Sequence, residues 1–324
     1  MHMKFSAIAA LTAGLAITGF VLWQIGLDPV LAAVERVGWG GFGLIVLAGL
    51  MVSVFSGLGW YALAGEQMAW PKFIAVRQLR DSASDLLPFT QFGGILIGAR
   101  AAILGGLAPP LAFASTVVDV TTELMAQIAF VVLGLLLGIT QLRANAAMAP
   151  YANGMIIGTA LLIPGVILFV VLQRRSGAIT TKLASRFLPA AISHTQVFTQ
   201  QLSALYAKPW KLTASSIMHF AAWLTSGLWL WLVMHLCGAH IDVLSAMAIE
   251  SLLTALRSAT VFIPSAIGVQ EAGYAALAPV FGVGAEIGLA VSLLKRGRDV
   301  VVGVPMLLIW QALEGKRAFS REPQ

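Results

Sequence analysis

The sequence predicts an all-α polytopic membrane protein, with about six full transmembrane helices and two proline-broken hairpins of the re-entrant type. Three observations lead to this prediction. Only 10% of the 324 residues are charged and 59% are apolar, whereas a soluble domain carries about 25% charged residues. The mean hydropathy is +0.88. The apolar residues also fall in blocks of about 20 or more, the length that crosses a hydrocarbon core about 30 Å thick.

This composition excludes an ordinary soluble enzyme and a disordered chain. Continuous apolar blocks also exclude an outer-membrane barrel, whose strands alternate over about 10 residues. The one cysteine, Cys237, excludes an intrachain disulfide and a multi-cysteine metal site. The net charge of +6 indicates loops that face an anionic membrane leaflet rather than a nucleic acid. We therefore expect no metal, no cofactor and no nucleic-acid partner, and the oligomeric state stays open.

The elements follow one another along a single membrane domain that covers residues 1–324. The first apolar block, 5–26, is predicted to be a retained transmembrane helix, with a cleaved signal peptide as the alternative. Five further spans are predicted at 39–65, 110–140, 151–173, 212–237 and 284–311. The connection 174–211 mixes basic and apolar residues, which predicts an amphipathic helix on the cytoplasmic face of the membrane. Residues 312–324 form a basic tail.

Two segments interrupt this pattern, one in each half of the chain. In the first half (5–140), segment 71–108 is an arm, a break and a second arm. In the second half (212–311), segment 243–282 repeats that order. The residues that mark the breaks are Pro88, Gly93, Gly94, Pro264 and Gly268. Backbone groups freed by a break need partners inside the protein or in a wet cavity. Paired breaks therefore point to a transport site between inverted repeats, with two kinked helices as the alternative.

The basic residues predict the orientation. If both interrupted segments return to the side on which they start, then Lys4, 66–84, 174–211 and the tail are cytoplasmic. These parts hold 13 lysines and arginines, and the outer loops hold two, Arg36 and Arg143. This asymmetry follows the positive-inside rule and predicts a multi-pass protein with both termini in the cytoplasm.

Ionisable residues inside the apolar stretches are the candidate functional residues, because such groups are costly in lipid unless they are paired or wetted. The candidates for substrate binding are Arg100, Asp119, Glu123, Arg257, Glu271, Arg296 and Arg298. Asp119 and Glu123 are four residues apart and share one helix face. Arginines would hold an anionic head group through paired hydrogen bonds, and carboxylates would balance them in the empty site. The alternative is a set of internal salt bridges that fix helix positions.

Other patterns have structural readings. Small residues four positions apart predict close helix packing. These pairs are Gly94/Gly98, Gly134/Gly138, Gly154/Gly158 and Gly284/Gly288. The histidines His194, His219, His235 and His240 form no metal pattern. No nucleophile–base pair is legible either, so no catalytic residue is predicted and the chain is not expected to be an enzyme.

Three parts of the sequence resemble a known family. They read Pro-Phe-Thr-Gln-Phe-Gly-Gly (88–94) with Gly-Ala-Arg-Ala (98–101), Val-Val-Asp-Val-Thr-Thr-Glu-Leu (117–124) and Ile-Pro-Ser-Ala-Ile-Gly-Val-Gln-Glu (263–271). They resemble the flippase-like membrane domain of lysylphosphatidylglycerol synthases and its stand-alone relatives. The subgroup that they look most like is found with hopanoid-biosynthesis genes. The resemblance extends over most of the chain.

The resemblance implies translocation of a lipid across a bacterial cytoplasmic (inner) membrane, or an accessory role in hopanoid or other lipid handling. The residues that match the family pattern are Arg100, Asp119, Glu123, Glu271 and Arg296. No lipid lysylation is expected, because the sequence does not contain the aminoacyl-transferase domain of the synthases.

One departure from the family concerns charge. The family has an acidic–basic pair where this chain reads Asp119-Val120, so the basic partner is missing at that position. Two alternatives to transport stay open. One is a non-transporting membrane scaffold or accessory subunit for lipid-biosynthetic enzymes, and the other is an integral-membrane transferase. The expected partners are a membrane lipid and lipid-biosynthetic enzymes.

Overall fold

A computed structural model describes residues 19–20, 23–24, 26–87, 90–143, 196–260 and 263–320. Within these ranges the chain forms helices and turns and no β-strand. The helices are α1 (Leu27–Ala64), α2 (Trp70–Leu86), α3 (Thr90–Gly105), α4 (Pro109–Arg143), α5 (Gln196–Tyr206), α6 (Pro209–Leu236), α7 (Val243–Ala259), α8 (Val269–Val280) and α9 (Ala285–Ser320). A 3₁₀ turn (Pro264–Ala266) lies between α7 and α8. The all-α prediction is confirmed for the described part of the chain.

Three of the described helices are long and apolar enough to cross a membrane. They are α1, the stretch Pro109–Thr140 of α4, and α6. They correspond to the predicted spans 39–65, 110–140 and 212–237. A kink at Gly38, where φ is 60°, divides α1 close to the predicted start of its span. Glycine adopts this left-handed conformation without a steric penalty.

The other predicted spans have different outcomes. Most of 5–26 and all of 151–173 lie outside the described residues, so the total of six spans stays a prediction. The predicted span 284–311 forms most of α9, which is not among the three membrane-length apolar helices. Its middle carries the charged run from Lys295 to Asp299, and such a run cannot face lipid.

Both interrupted segments form pairs of helices. α2 and α3 flank the break after Leu86, and α7 and α8 flank the break that contains the 3₁₀ turn. Gly94 lies directly against Ser84 and the carbonyl of Arg80, while a methyl group at Gly98 would lie 3.0 Å from the Arg80 Cβ. The predicted close packing is therefore confirmed for this glycine pair, and it holds α3 against α2.

The break residues differ from the prediction in detail. Gly93 and Gly94 lie in the first turn of α3 rather than in the break, because that helix begins at Thr90. Pro88 lies outside the described residues. Pro264 begins the 3₁₀ turn, and Gly268 is the N-cap of α8, with φ at 82°.

The two breaks meet beside the middle of α4. Nη2 of Arg257, near the end of α7, donates to Oδ1 of Asp85, near the end of α2, over 3.4 Å. The next residue, Ser258, accepts a hydrogen bond from the Gln127 side chain of α4. Gln127 lies close to the midpoint of α4, so α2 and α7 end at the same level of the molecule.

α5 is the described part of the predicted amphipathic connection 174–211. Its apolar residues Phe198, Leu202 and Leu205 are buried in a cluster with residues of α1, α3 and α4. α5 is amphipathic, with its apolar face packed on the protein, and the cytoplasmic amphipathic connection 174–211 as a whole stays a prediction. The apolar face of α5 is therefore not free to enter the membrane surface, because burial against other helices already removes it from water.

A buried lysine fixes the start of α6 against α1. Nζ of Lys211 donates to the carbonyl of Leu63 over 3.3 Å and to Oε1 of Glu66 over 2.7 Å. The hydrogen bond and the positive charge of Lys211 lower the pKa of Glu66, which lies in the loop between α1 and α2. This contact sets the level at which α6 passes α1 and α4.

Candidate functional site

A polar cavity of about 470 Å³ lies where the two breaks meet. Its walls come from α1, α2, α3, α4, α6, α7, α9 and the 3₁₀ turn. Among the described residues, five cations and five carboxylates line it. They are Arg77, Arg80, Arg257, Lys295, Arg298, Asp81, Asp85, Glu123, Glu250 and Asp299. Charges of both signs are thus concentrated in one cavity that also touches the three membrane-length apolar helices, α1, α4 and α6.

One side of the cavity is a tight set of ion pairs, which we call the first ion cluster. Its members are Arg77, Arg80, Asp81, Asp119, Glu123 and His219. Arg80 donates from Nη1 to Asp119 over 2.7 Å and from Nη2 to Glu123 over 2.8 Å. Arg77 donates to the same two carboxylates, over 3.3 Å from Nη1 to Asp119 and 3.0 Å from Nη1 to Glu123.

Sequence spacing explains this geometry. Arg77 and Arg80 are three residues apart on α2, and Asp119 and Glu123 are four apart on α4, so each pair occupies one helix face. Two guanidinium forks then meet two carboxylates, the arrangement in which charge-assisted hydrogen bonds are strongest. The Asp119 side chain is 0% exposed, so its charge is stabilised by protein partners and not by water.

His219 of α6 completes the first ion cluster. Its Nε2 lies 2.9 Å from Oδ1 of Asp119, and the residue is only 1% exposed. Its Nδ1 has no hydrogen-bond partner among the described residues. α1 makes room for the ring at Gly59, where an added methyl group would lie 2.9 Å from Nε2. The cluster therefore ties together α2, α4 and α6 across the two halves of the chain.

The remaining charged residues of the lining form the second ion cluster. Its members are Asp85, Glu250, Arg257, Lys295, Arg298 and Asp299. Lys295 donates to Glu250 over 3.1 Å and to the hydroxyl of Tyr274 over 3.3 Å. Arg298 donates to Asp299 over 3.3 Å, and to the carbonyl of Gly49 over 3.0 Å. These contacts explain how α9 tolerates a charged run in its middle.

The turn between α7 and α8 forms part of the cavity wall and is strained. Ser265 and Ala266 have φ of 53° and 47°, a region that costs about 1–3 kcal/mol for each such residue. Nη1 of Arg296 donates to the Ser265 carbonyl over 2.9 Å, and Nε donates to Oε1 of Glu271 over 3.0 Å. Oε2 of Glu271 accepts from the amide of Gly268 over 2.8 Å. The Glu271–Arg296 pair therefore holds this turn in place.

Family comparison identifies the kind of chain that contains this cavity. A family model described as the lysylphosphatidylglycerol synthase TM region matches residues 7–306. The chain belongs to this family. Comparison with curated proteins and with solved structures gave no match. Family membership and the three membrane-length helices establish a membrane protein with a lipid-related context.

The predicted binding candidates occupy three kinds of position in this member of the lysylphosphatidylglycerol synthase TM-region family. Glu123, Arg257 and Arg298 line the cavity. Asp119 lies in the first ion cluster, where it supports two of the lining arginines. Glu271 and Arg296 support the strained turn instead of lining the cavity.

Arg100 lies apart from the cavity. Its side chain is 51% exposed and pairs with Glu314 near the end of α9, with 2.6 Å between Nη2 and Oε1. The sequence places Arg100 among the residues of one site, and the structure corrects this placement. The physical reason is that Arg100 lies on the outer side of α3, where Glu314 compensates its charge.

The sequence did not single out Arg77, Arg80 or His219. The basic-residue pattern assigns the first two to a cytoplasmic stretch, 66–84, whereas the structure buries both in α2. A usable signal was present, because the three-residue spacing of these arginines complements the four-residue spacing of Asp119 and Glu123. No comparable signal marks His219, whose role depends on the packing of α6.

The close approach of Gly59 to His219 leads to a prediction. Gly59→Ala should push the imidazole away from Asp119 and lower the free energy of unfolding by about 1–3 kcal/mol, a typical cost of overpacking. Gly43→Ala on the same helix is the matched control, because a methyl group there would meet nothing within 4 Å. Thermal unfolding of both variants in detergent checks this, and equal midpoints for the two would contradict the packing argument.

Proposed function

We propose that this protein moves a membrane lipid across a bacterial inner membrane, with the lipid head group passing through the polar cavity. The observation that carries the proposal is the cavity itself, which is lined by ten charged side chains and whose walls include all three membrane-length helices, α1, α4 and α6. Internal salt bridges alone need no volume of about 470 Å³ between them. A head group is the part of a lipid that requires a polar path through hydrocarbon.

The proposal includes an inverted-repeat arrangement of two hairpins. Its support lies in how the arms approach α4. α7 lies beside Gly134 through Ser251 and reaches Gln127 through Ser258, so it runs toward the middle of α4 from its C-terminal end. α2 starts near the beginning of α4, where Lys72 binds the carbonyl that ends α3. Transport sites commonly lie where such broken segments meet.

The test is lipid movement by the purified protein in liposomes. Tail-labelled phospholipids, together with a hopanoid-type or other polyisoprenoid lipid, are followed with a membrane-impermeant quencher. We expect at least one lipid to cross faster than in empty liposomes and in liposomes that contain an unrelated membrane protein. Equal rates for every lipid, with folded protein confirmed, would contradict transport.

A scaffold for lipid-biosynthetic enzymes is the second candidate function. The observation in its favour is that each cation lining the cavity has a carboxylate within 3.4 Å among the described residues. Such a set of charges is complete without a ligand. A scaffold predicts co-purification with lipid-biosynthetic enzymes and no lipid movement. Neither proposed function requires a chemical step, so we do not propose an enzymatic activity for this protein.

The proposed orientation has its own test. A cysteine at Ser320 should react with an impermeant thiol reagent only from the cytoplasmic side, and one at Ala147 only from outside. Cys237→Ala provides the cysteine-free background. Labelling of position 320 from outside would contradict cytoplasmic termini, because it requires an odd number of crossings between the N-terminus and this residue.

A further inference from the structure

We infer that the cavity binds a head group that carries both charges, with its anionic group at Arg257 and an ammonium group at Asp85. This inference rests on the proposed lipid function and names the class of head group. It differs from the purely anionic head group that the sequence favours. A ligand that binds there must open one of the ion pairs of the cavity, and these pairs differ in burial and in the number of their hydrogen bonds.

The first ion cluster is closed to a ligand. The side chains of Arg77 and Arg80 are only 5% and 6% exposed. Each binds both Asp119 and Glu123, so a head group would have to break several charge-assisted hydrogen bonds at once. Removing one partner from a buried ion pair leaves an uncompensated charge, which is strongly unfavourable. These arginines therefore shape the cavity rather than bind the head group.

The Arg257–Asp85 pair has the opposite character. Its atoms are 3.4 Å apart, the longest ion-pair distance among the described residues. The two side chains are 26% and 28% exposed, and both line the cavity. The pair also joins the ends of α2 and α7, and neither of its members forms a second ion pair among the described residues. It is the pair that a ligand can enter at least cost.

Charge balance then selects the ligand. An anionic head group that took Arg257 would leave Asp85 without its cation, near Asp299 in the same cavity. A cationic head group at Asp85 would strand Arg257 in the same way. A head group with an anionic group and an ammonium group compensates both members when it separates them. The equal numbers of cations and carboxylates in the lining favour the same net-neutral ligand.

The experiment compares two charge-neutralising variants, Arg257→Gln and Asp85→Asn. Binding is measured from the rise in unfolding temperature with short-chain lipids, since a ligand stabilises the state that it binds. The probes are phosphatidylethanolamine, phosphatidylglycerol and a trimethylammonium-propane lipid. Arg100→Gln is the matched control, because Arg100 is an ion-paired arginine outside the cavity.

Wild-type protein should bind phosphatidylethanolamine most tightly, and each single variant should weaken that binding at least about tenfold, with the control unchanged. Tighter binding of phosphatidylglycerol than of phosphatidylethanolamine by the wild-type protein, together with its loss in Arg257→Gln, would overturn the inference in favour of an anionic ligand. Two other results would show that the pair is purely structural and would also overturn the inference. One is unchanged binding of phosphatidylethanolamine in both single variants, and the other is restored binding in the double variant Arg257→Gln/Asp85→Asn.

The outcomes separate this inference from the proposed function. If phosphatidylethanolamine binds as expected but no lipid crosses liposomes, the head-group class stands and transport fails. If phosphatidylglycerol crosses while phosphatidylethanolamine neither binds nor crosses, transport stands and the head-group class fails.

Discussion

Asp119→Asn is expected to lower the free energy of unfolding by about 3–5 kcal/mol, the cost of breaking a buried ion network by removing one partner. The substitution keeps the shape of the side chain but removes the charge that faces Arg77, Arg80 and His219. Glu123 would then be the one carboxylate of α4 that still pairs with these two buried guanidinium groups. The measurement is chemical or thermal unfolding in detergent.

Glu35→Gln is the control for Asp119→Asn, because it removes an exposed carboxylate from α1. Its effect should stay within about 0.5 kcal/mol, as for most surface substitutions. If Asp119→Asn cost no more than this control, the first ion cluster would not be a determinant of helix packing.

Arg296→Gln is expected to cost about 3 kcal/mol, because it strands the buried Glu271 carboxylate. It also removes the donor to the Ser265 carbonyl, which lies in the strained turn beside the cavity. Lipid movement should fall together with stability, since the turn forms part of the wall. Arg100→Gln serves as the control here as well. Its exposed pair with Glu314 predicts an effect of about 0–1 kcal/mol.

A different pattern for Arg296→Gln would change its assigned role. Unchanged stability with complete loss of lipid movement would identify Arg296 as a group that touches the lipid. The turn would then be held by Glu271 alone, through its hydrogen bond with the Gly268 amide.

Much of the fold was predictable because hydrophobic length is a local signal. The spans that became α1, α4 and α6 each follow from a continuous apolar run, and Gly94 follows from small-residue spacing. The starts of helices were less predictable. Gly93 and Gly94 read as part of a break, but glycine also permits the close packing of α3 on α2 that the structure contains.

The site was less predictable because it depends on contacts between distant segments. Asp119-Val120 lacks the basic partner found in the family pattern, and the structure supplies that partner from α2 through Arg77 and Arg80. Their polar neighbours made that helix resemble an exposed loop. For Arg100 the error was the opposite one, because its apolar neighbours in the sequence predicted a place in the site. Its partner Glu314 is more than 200 residues away in the sequence, and nothing near Arg100 indicates that pairing.

The central claim, that a lipid head group passes through the cavity, has a direct test at Ser258. This residue lines the cavity and is exposed, so Ser258→Cys in a Cys237→Ala background should react with a bulky thiosulfonate reagent in liposomes. Glu35→Cys, exposed on α1 before the predicted span 39–65 and away from the lining, is the control. The account predicts that modification at position 258 reduces lipid movement to the level of empty liposomes, that a reductant restores it, and that modification at position 35 changes nothing. Full lipid movement by protein shown by mass to be modified at position 258 would contradict the claim.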